Sequence, residues 1–249
     1  MQTIKESVLK SDEETGGLRD ESLPFAVTLV QDETDLDKAL RIRHSAYGRH
    51  VPELADTLDK PEHYDHEPGV VVLLAQSKLD GEPLGTMRIQ TNQYGPLALE
   101  QSVTLPDWLQ GRRLAEATRL GIARGRIGRM VKIAMFKGYY LYCRQNDVDW
   151  MVITGRAPLD RQYDALQFQD VFPDRGFIPM RHVGDIPHRV MALEVASVEP
   201  GWRAAGHPLY DFFFRTRHDD IRVSTDPLTE LESEAEALSL ATGQRTLSN

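Results

Sequence analysis

The segment between residues 114 and 154 places the tightest constraint on the fold of this chain. Residues 114–122 predict a strand, residues 129–145 carry an apolar stripe with helical spacing, and residues 148–154 predict a second strand. Because a strand, a helix and a strand in this order form a crossover unit, the two strands should be parallel neighbours. The chain should therefore contain an α/β sheet with a parallel pair inside it.

The remaining strands are expected to pair mostly antiparallel. Residues 25–30 predict a first strand, followed by a helix that begins at Asp32 or Thr34 and reaches about Gly48. Asp80 and Gly81 predict a hairpin turn between the strands at 70–75 and 84–89. Later elements are a short helix at 160–168, a strand at 189–195 and an aromatic-rich helix at 208–217. The predicted fold class is α/β, with a mixed, mostly antiparallel twisted sheet and flanking helices.

Composition limits how the 249 residues are organised. A hydrophobic content of 41% supports one core, which we place in residues 25–223, and the polar ends at 1–24 and 224–249 are expected to be mobile. The single cysteine, Cys143, excludes an internal disulfide, and we assign it no catalytic role because it lies within a helical pattern. No apolar run approaches the roughly 18 residues that a membrane span needs. The expected location is the cytoplasm.

The charge distribution is uneven. A net charge of -9 argues against general nucleic-acid binding, because phosphate contacts need a cationic surface. Basic residues nevertheless concentrate between positions 112 and 144, where Glu116 is the only acidic residue. They are Arg112, Arg113, Arg119, Arg124, Arg126, Arg129, Lys132, Lys137 and Arg144. This patch indicates a specific anionic partner, and the alternative is an ordinary solvated helix face.

The turn that precedes the crossover helix has the sequence Arg-Gly-Arg-Ile-Gly-Arg at 124–129. Glycines let a backbone approach a phosphate closely, and the amides at the start of a helix can bind one. The turn suits the pyrophosphate of coenzyme A or the phosphopantetheine of a carrier protein, and the alternative is a plain turn. The predicted donor-binding residues are Arg124, Gly125, Arg126, Gly128, Arg129 and Lys132.

Four short motifs distinguish this chain from other α/β proteins. They are Arg43 and Tyr47 on the first helix, Glu-His-Tyr-Asp at 62–65, Gly-Thr-Met-Arg at 85–88, and Glu-Ala-Thr-Arg at 116–119. In order and approximate spacing they resemble the motif series of acyl-homoserine lactone synthases and the related N-acyl amino acid synthases. The resemblance covers residues 36–122, with further support at 172–177 and 202–221. It implies the GCN5-related N-acetyltransferase (GNAT) fold, whose V-shaped cleft would lie where the parallel strands around Glu116 and Val152 splay.

The chain departs from the homoserine lactone synthases at two places. Those enzymes carry a tryptophan soon after the first-helix aromatic, where this chain has Val-Pro-Glu-Leu at 51–54, and an aspartate in place of Glu62. These differences favour an amino acid over S-adenosylmethionine as acyl acceptor. The predicted function is N-acyl amino acid synthesis from a long-chain acyl thioester. The alternatives are a homoserine lactone synthase and a non-catalytic sensor of lipids or amino acids.

A mechanism can be assembled from the residue types. An ammonium group must lose a proton before its nitrogen attacks a thioester, so Glu116 is the expected general base, directly or through water. The alternative for Glu116 is a salt bridge to Arg119 or Arg43. A backbone amide near Arg119 would stabilise the oxyanion. Arg43 and Asp65 would pair and shape the acceptor pocket together with Tyr47 and Glu62, and Arg88 would clamp the acceptor carboxylate.

One spacing conflicts with this arrangement. Glu116 and Arg119 point to opposite faces of a regular strand, so both can serve one cleft only if a bulge lies between them. His63 or His66 is an alternative base. The remaining histidines, including His182, His188, His207 and His218, show no metal-ligand spacing, and no metal is expected.

The acyl donor would be a co-substrate, and no permanently bound cofactor is expected. Acyl-carrier proteins are acidic, so the basic patch favours an acyl-carrier protein over acyl-coenzyme A. The expected partners are therefore this carrier and an amino acid.

Overall fold

Strands and helices alternate along residues 18–224, which are the residues that the computed structural model describes. The strands are β1 (Arg19–Asp20), β2 (Phe25–Leu29), β3 (Val70–Ser77), β4 (Pro83–Thr91), β5 (Leu114–Ile122), β6 (Trp150–Gly155), β7 (Gln169–Asp170), β8 (Ile178–Met180), β9 (Ile186–Glu194), β10 (Thr216–Arg217) and β11 (Ile221–Arg222). The helices are α1 (Glu33–Gly48), α2 (Pro52–Ala55), α3 (Gly128–Gln145), α4 (Asp160–Asp164) and α5 (Val195–Ala205). Short 3-10 turns occupy His63–His66, Ala98–Gln101 and Arg181–Val183.

The main sheet is mixed and mostly antiparallel, as predicted. Its strands follow the order β11-β2-β3-β4-β5-β6-β9-β7, and β8 pairs separately with β9. The central pair β5 and β6 is parallel, and α3 provides the crossover between them. A second, small sheet joins β1 to β10. The crossover unit predicted from the sequence is therefore confirmed and lies in the middle of the sheet.

The two central strands separate before they end. Their pairing runs from Leu114 opposite Trp150 to Ala117 opposite Ile153 and then stops. Because β5 continues to Ile122 and β6 to Gly155, the strands splay beyond this point and leave a cleft between them. The predicted splay is confirmed.

A β-bulge changes the direction of the β5 side chains where the cleft begins. Thr118 pairs with Arg88 and Gly121 pairs with Thr86, so three steps along β5 match two steps along β4. Arg119 absorbs the extra residue with a φ of 56°, in the left-handed region that few residues other than glycine adopt. The bulge that the spacing of Glu116 and Arg119 required is present.

The two faces of β4 lie in different environments, one apolar and one polar. Met87 and Ile89 are buried in the main apolar core with residues of α3 such as Ala134. Arg88 points to the other face, where α1 packs against β4 and β5. Strand alternation thus separates the core from the polar face on which the site is built.

Helix α3 fixes the spacing of the central strands. Its buried stripe includes Val131, Met135 and Tyr139, whereas Met130 in its first turn is 42% exposed. The hydroxyl of Tyr139 donates to the carbonyl of Ala115 at 2.6 Å and accepts from the amide of Val152 at 3.1 Å. One phenol therefore links both strands immediately below the splay.

The C-terminal part of the described chain differs from the prediction. The prediction of a helix at 208–217 is wrong, because Asp211–Arg215 forms only one π-helical turn before β10. The sequence analysis missed α5, which contains Pro200 and ends at Gly206 with a φ of 60°. Proline and glycine weakened its helical pattern, whereas the aromatic run after Pro208 imitated one.

Lys137 is not part of a surface patch, contrary to the prediction. It is 4% exposed, and its Nζ donates to the carbonyls of Phe212 and Thr216 at 2.8 and 2.7 Å. His218 Nδ1 lies 2.8 Å away. Lys137 instead links α3 to the segment that contains Phe212, Thr216 and His218.

The predicted domain limits are only partly covered by the described residues. Arg19–Asp20 pairs with β10, so the folded unit includes residues before Phe25. The rest of the ends predicted to be mobile, at 1–17 and 225–249, lies outside the described residues. No helix within residues 18–224 is long and apolar enough to cross a membrane.

Candidate active site

The cleft between the splayed strands has a volume of about 560 Å³. Its walls come from the end of α1, the bulged half of β5, the end of β6, the start of α3 and the 3-10 turn before β9. Side chains that face it include Tyr47, Arg119, Lys132, Thr154, His182 and His188. The cleft therefore lies where the topology predicted it, and most of the chemistry-bearing groups on its walls are basic or neutral.

Arg119 is the charged residue that the bulge turns into the cleft. Its Nε and Nη2 donate to the two carboxylate oxygens of Glu62, each at 2.6 Å. Nη2 also donates to the carbonyl of His182 at 2.9 Å, while Nη1 is buried without a hydrogen-bond partner. The two N–H groups on Nη1 are therefore the donors that a ligand could use. The side chain of Tyr47 also interacts with this guanidinium and, against the effect of burial, Glu62 and Tyr47 together raise the pKa of Arg119.

A network of buried ions lies behind Arg119. Arg43 donates to both oxygens of Asp65, at 2.7 and 3.0 Å. Arg88 donates from Nη1 to Glu62 at 3.1 Å and to Asp65 at 3.3 Å, and its Nε donates to the hydroxyl of Thr118 at 3.1 Å. The predicted pairing of Arg43 with Asp65 is observed.

Both carboxylates of this network are held in the ionised form. Burial alone would raise the pKa of Glu62, but the hydrogen bond and charge of Arg119 outweigh it and the pKa is lowered. The pKa of Asp65 is lowered in the same way, with Arg43 overcoming the effect of burial. Three guanidinium groups thus face two carboxylates, and the cluster carries one excess positive charge.

Most of the predicted acceptor-binding residues do not reach the cleft. The side chains of Arg43 and Asp65 are fully buried and that of Arg88 is 1% exposed. Arg88 cannot clamp a carboxylate in the cleft as predicted, because it donates to Glu62, Asp65 and Thr118 behind the cleft wall. Tyr47 is the predicted acceptor-binding residue that lines the cleft, and Arg119, which was predicted to be catalytic, lines it as well.

Glu116 lies beneath the cleft floor. Its side chain is completely buried, Oε2 accepts from the amide of Leu99 at 3.0 Å, and Oε1 has no hydrogen-bond partner. Burial raises the pKa of Glu116 to about 7, against the opposing effects of the Leu99 amide and of Arg88 and Arg119. The alternative of a salt bridge to Arg119 or Arg43 is not observed among the ion pairs of residues 18–224.

His182 is a site residue that the sequence analysis missed. It follows β8, its side chain is 2% exposed, and its Nε2 lies 3.8 Å from Glu116 Oε1. Burial, together with Arg119, His188 and Arg88, lowers the pKa of His182 to about 3. No local motif surrounds it, so only the tertiary structure brings it to the site. The predicted alternatives, His63 and His66, are exposed and do not line the cleft.

The turn into α3 forms part of the cleft wall, and we call it the donor turn because it carries the residues predicted to bind the donor. Gly125 has a φ of 141°, and a Cβ at Gly128 would lie 3.1 Å from the carbonyl of Ala123, so both positions favour glycine. The first turn of α3 has no acidic residue and no side-chain cap. Five predicted donor-binding residues line the cleft, namely Arg124, Gly125, Gly128, Arg129 and Lys132. Arg126 is exposed and lies outside the lining.

The donor turn has the features of a phosphate site. Three cationic residues, Arg124, Arg129 and Lys132, line the cleft around the start of α3, where the amides of a helix N-terminus can bind a phosphate. Lys132 is held by the side-chain oxygen of Gln162. Within the described part of the chain, no group of three or more histidines, cysteines or carboxylates could hold a metal ion.

Comparison with known proteins gives three findings. A family model described as "N-acyl amino acid synthase FeeM" matches residues 38–180. The structure of FeeM, an N-acyl amino acid synthase from uncultured soil microbes, is 18% identical, has a TM-score of 0.55, and the match covers 76% of this chain and 97% of FeeM. That of BjaI, a CoA-dependent acyl-homoserine lactone synthase, is 14% identical with a TM-score of 0.50, covering 78% and 93%.

No curated protein matches the chain. At these identities the two solved structures show the fold, which is the GNAT-like fold that the motifs implied. The family model spans more than half of the chain, including all the predicted site residues. The chain is therefore an acyltransferase that belongs to the FeeM family of N-acyl amino acid synthases.

Proposed function

We propose that this enzyme transfers a long-chain acyl group from a thioester to the α-amino group of an amino acid. The observation that carries the proposal is the excess positive charge behind the cleft, which is presented to it through Arg119. An amino acid brings a carboxylate, and a buried guanidinium with an unpartnered Nη1 can bind that group by a charge-assisted hydrogen bond. Arg119 thereby takes the role that the sequence assigned to Arg88.

The bulge supplies a candidate oxyanion site. Arg119 and Leu120 have no register partner on β4, and the pairing of β5 with β6 has already ended at Ala117. Their backbone amides are therefore candidates to stabilise the oxyanion that forms when the amine attacks the thioester carbonyl. Glu116, with a pKa of about 7, is suited to accept a proton at neutral pH.

The acyl chain would occupy the apolar part of the cleft. The apolar residues that line the cleft include Val51, Leu54, Leu159, Tyr163, Val183 and Ile186. These side chains offer no charged group to an alkyl chain, so burial of methylene groups would contribute about 0.8 kcal/mol each. This lining supports a long-chain acyl group.

The donor would be an acyl-carrier protein, with acyl-coenzyme A as the alternative. Either donor carries phosphates that the turn into α3 can bind, and BjaI is described as CoA-dependent. The carrier is favoured because Arg126 is an exposed residue of the donor turn that does not line the cleft, so it can contact a protein surface.

The test is product analysis with purified protein. A long-chain acyl-carrier protein or acyl-coenzyme A would be incubated with a mixture of the common amino acids, and mass spectrometry would identify the acyl-amide. Thiol release measured in parallel would establish turnover. Arg119→Lys provides the matched variant, and we expect it to raise the KM of the amino acid more than that of the thioester.

Three results would contradict the proposal. Acyl transfer that requires S-adenosylmethionine would identify a homoserine lactone synthase. Binding of thioester and amino acid without thiol release would identify a sensor. A product formed equally well from amines that lack a carboxylate would show that Arg119 does not recognise that group.

A further inference from the structure

The proposed base is separated from the space where the acceptor must bind. Glu116 does not line the cleft, and its Oε1 is buried without a hydrogen-bond partner. An ammonium group in the cleft therefore cannot transfer its proton directly to Glu116. A group with access to both the cleft and the carboxylate is needed.

His182 is the residue that spans this gap. His182 is one of the residues that line the cleft and its side chain is 2% exposed, and Nε2 lies 3.8 Å from Glu116 Oε1 and 3.5 Å from the hydroxyl of Thr154. The other ring nitrogen, Nδ1, is buried without a partner. The distance of 3.8 Å exceeds a hydrogen bond, but catalytic hydrogen bonds are often longer before substrate binds.

The backbone around His182 is held firmly in place. Its carbonyl accepts from Arg119 Nη2 at 2.9 Å, and the amide of Arg181 donates to the hydroxyl of Ser102 at 2.9 Å. Gly184 follows with a φ of 75°, which ends the 3-10 turn. The contact with Arg119 links the position of the imidazole to the residue that we propose binds the acceptor carboxylate.

We propose that His182 transfers the proton of the acceptor ammonium group to Glu116, and this inference rests on the proposed function. One ring nitrogen accepts the ammonium proton while the other donates its own proton to Oε1 of Glu116, so the ring ends neutral. The free amine attacks the thioester carbon, the C–N bond forms and the C–S bond breaks. The second nitrogen proton leaves with the sulfur as a thiol, and Glu116 returns its proton to water.

The charges around the ring suit this transfer. Burial, Arg119, His188 and Arg88 oppose a positive charge on the ring, whereas Glu62, and Glu116 in its ionised form, favour one. Imidazolium would therefore be a costly intermediate. A ring that accepts at one nitrogen while donating at the other avoids this cost, because it never accumulates the charge.

The test compares His182→Ala, His182→Gln and wild type in the product assay across pH. At pH 7 we expect the alanine variant to lose about 10²-fold in kcat, the usual scale of general acid–base catalysis, with little change in the KM of the thioester. The loss should shrink at pH 9.5, where more of the amine is already deprotonated, and added imidazole should partly restore turnover. His207→Gln is the control, since His207 stacks on Trp202 outside the cleft.

Several outcomes would overturn the inference. A folded His182→Ala variant within about three-fold of wild type at pH 7 would show that Glu116 is reached without His182. A loss that is equal at both pH values and insensitive to imidazole would show a structural role. If wild type itself makes no acyl-amide, the proposed function fails first. In that case nitrogen NMR of His182 in wild type and Glu116→Gln tests the contact alone, and identical ring signals would overturn it.

Discussion

Arg119 binds both oxygens of Glu62 although the two residues lie on different elements, with donor–acceptor distances of 2.6 Å. Glu62 precedes a 3-10 turn, and Arg119 occupies the bulge of β5. This bidentate pair holds the guanidinium at the cleft wall and leaves Nη1 unpartnered. The orientation of the proposed carboxylate-binding group therefore depends on a residue that does not itself line the cleft.

The first prediction concerns Glu62→Gln. We expect it to lower the free energy of unfolding by about 2–3 kcal/mol, because Arg119 and Arg88 lose a charged partner in a largely buried site, and to raise the KM of the amino acid. Urea unfolding and initial rates are the measurements. Glu67→Gln is the control, since Glu67 pairs with the exposed His63, and it should cost less than about 1 kcal/mol. Equal losses for the two variants would contradict the prediction.

The second prediction concerns the Arg43–Asp65 pair. Arg43→Ala leaves Asp65 buried with only part of its compensation, so we expect a loss of about 3 kcal/mol in the free energy of unfolding, together with reduced activity. A double-mutant cycle with Asp65→Asn should give a coupling energy of about 1 kcal/mol or more, because the side chains contact at 2.7 Å. Additive effects would show that the pair contributes no coupling.

The site was predictable where local spacing carries the information. Glu116 and Arg119 are three residues apart, so a shared site required a bulge, and the left-handed Arg119 provides it. The donor turn was visible as glycines at the start of a helix. By contrast, nothing near His182 in sequence marks it, because its role depends on a tertiary contact with Glu116.

The error about Arg88 has a different cause. Strand alternation correctly placed Arg88 opposite Met87, but periodicity cannot say whether a neighbouring residue covers the guanidinium. Thr118 and the 3-10 turn carrying Asp65 cover it, and both belong to other elements. The pairing partners of a buried arginine are a property of the fold rather than of its own strand.

The third prediction concerns the pH dependence of activity. If ionised Glu116 accepts the proton, kcat/KM should rise with pH and level off above a midpoint of about 7. Glu116→Gln should lower turnover by about 10²-fold or more and abolish this acidic limb. A pH-rate series on both proteins is the measurement. Near-normal turnover of the variant at pH 7 would remove Glu116 from the role of base.

The fourth prediction uses Glu116→Gln as a probe of stability. The pKa of Glu116 rises from an ordinary 4.5 to about 7 on folding, so the wild type loses stability as pH rises through this interval. Over that interval the shift corresponds to about 3 kcal/mol. The stability of the variant relative to wild type should therefore rise by up to this amount between pH 5 and pH 8 in urea titrations. A difference that does not change with pH would contradict a buried ionisable Glu116.

The last prediction concerns the carrier protein as donor. Arg126 is an exposed residue of the donor turn outside the cleft lining, whereas Lys132 lines the cleft. Arg126→Glu should slow turnover with an acyl-carrier protein about ten-fold and spare acyl-coenzyme A, because charges at the rim of an interface act mainly on the encounter rate. Lys132→Glu should affect both donors, because its charge lies where either donor's phosphate would bind.

Salt and position provide the controls for this comparison. The Arg126→Glu defect should shrink as ionic strength rises, since exposed charges are screened over about 8–10 Å. Arg112→Glu makes the same charge change on an exposed residue just before the other end of β5 and should leave the carrier rate near that of wild type. If Arg112→Glu slows the carrier as much as Arg126→Glu does, net charge explains the effect. If Arg126→Glu impairs both donors equally, Arg126 belongs to phosphate binding rather than to the carrier surface.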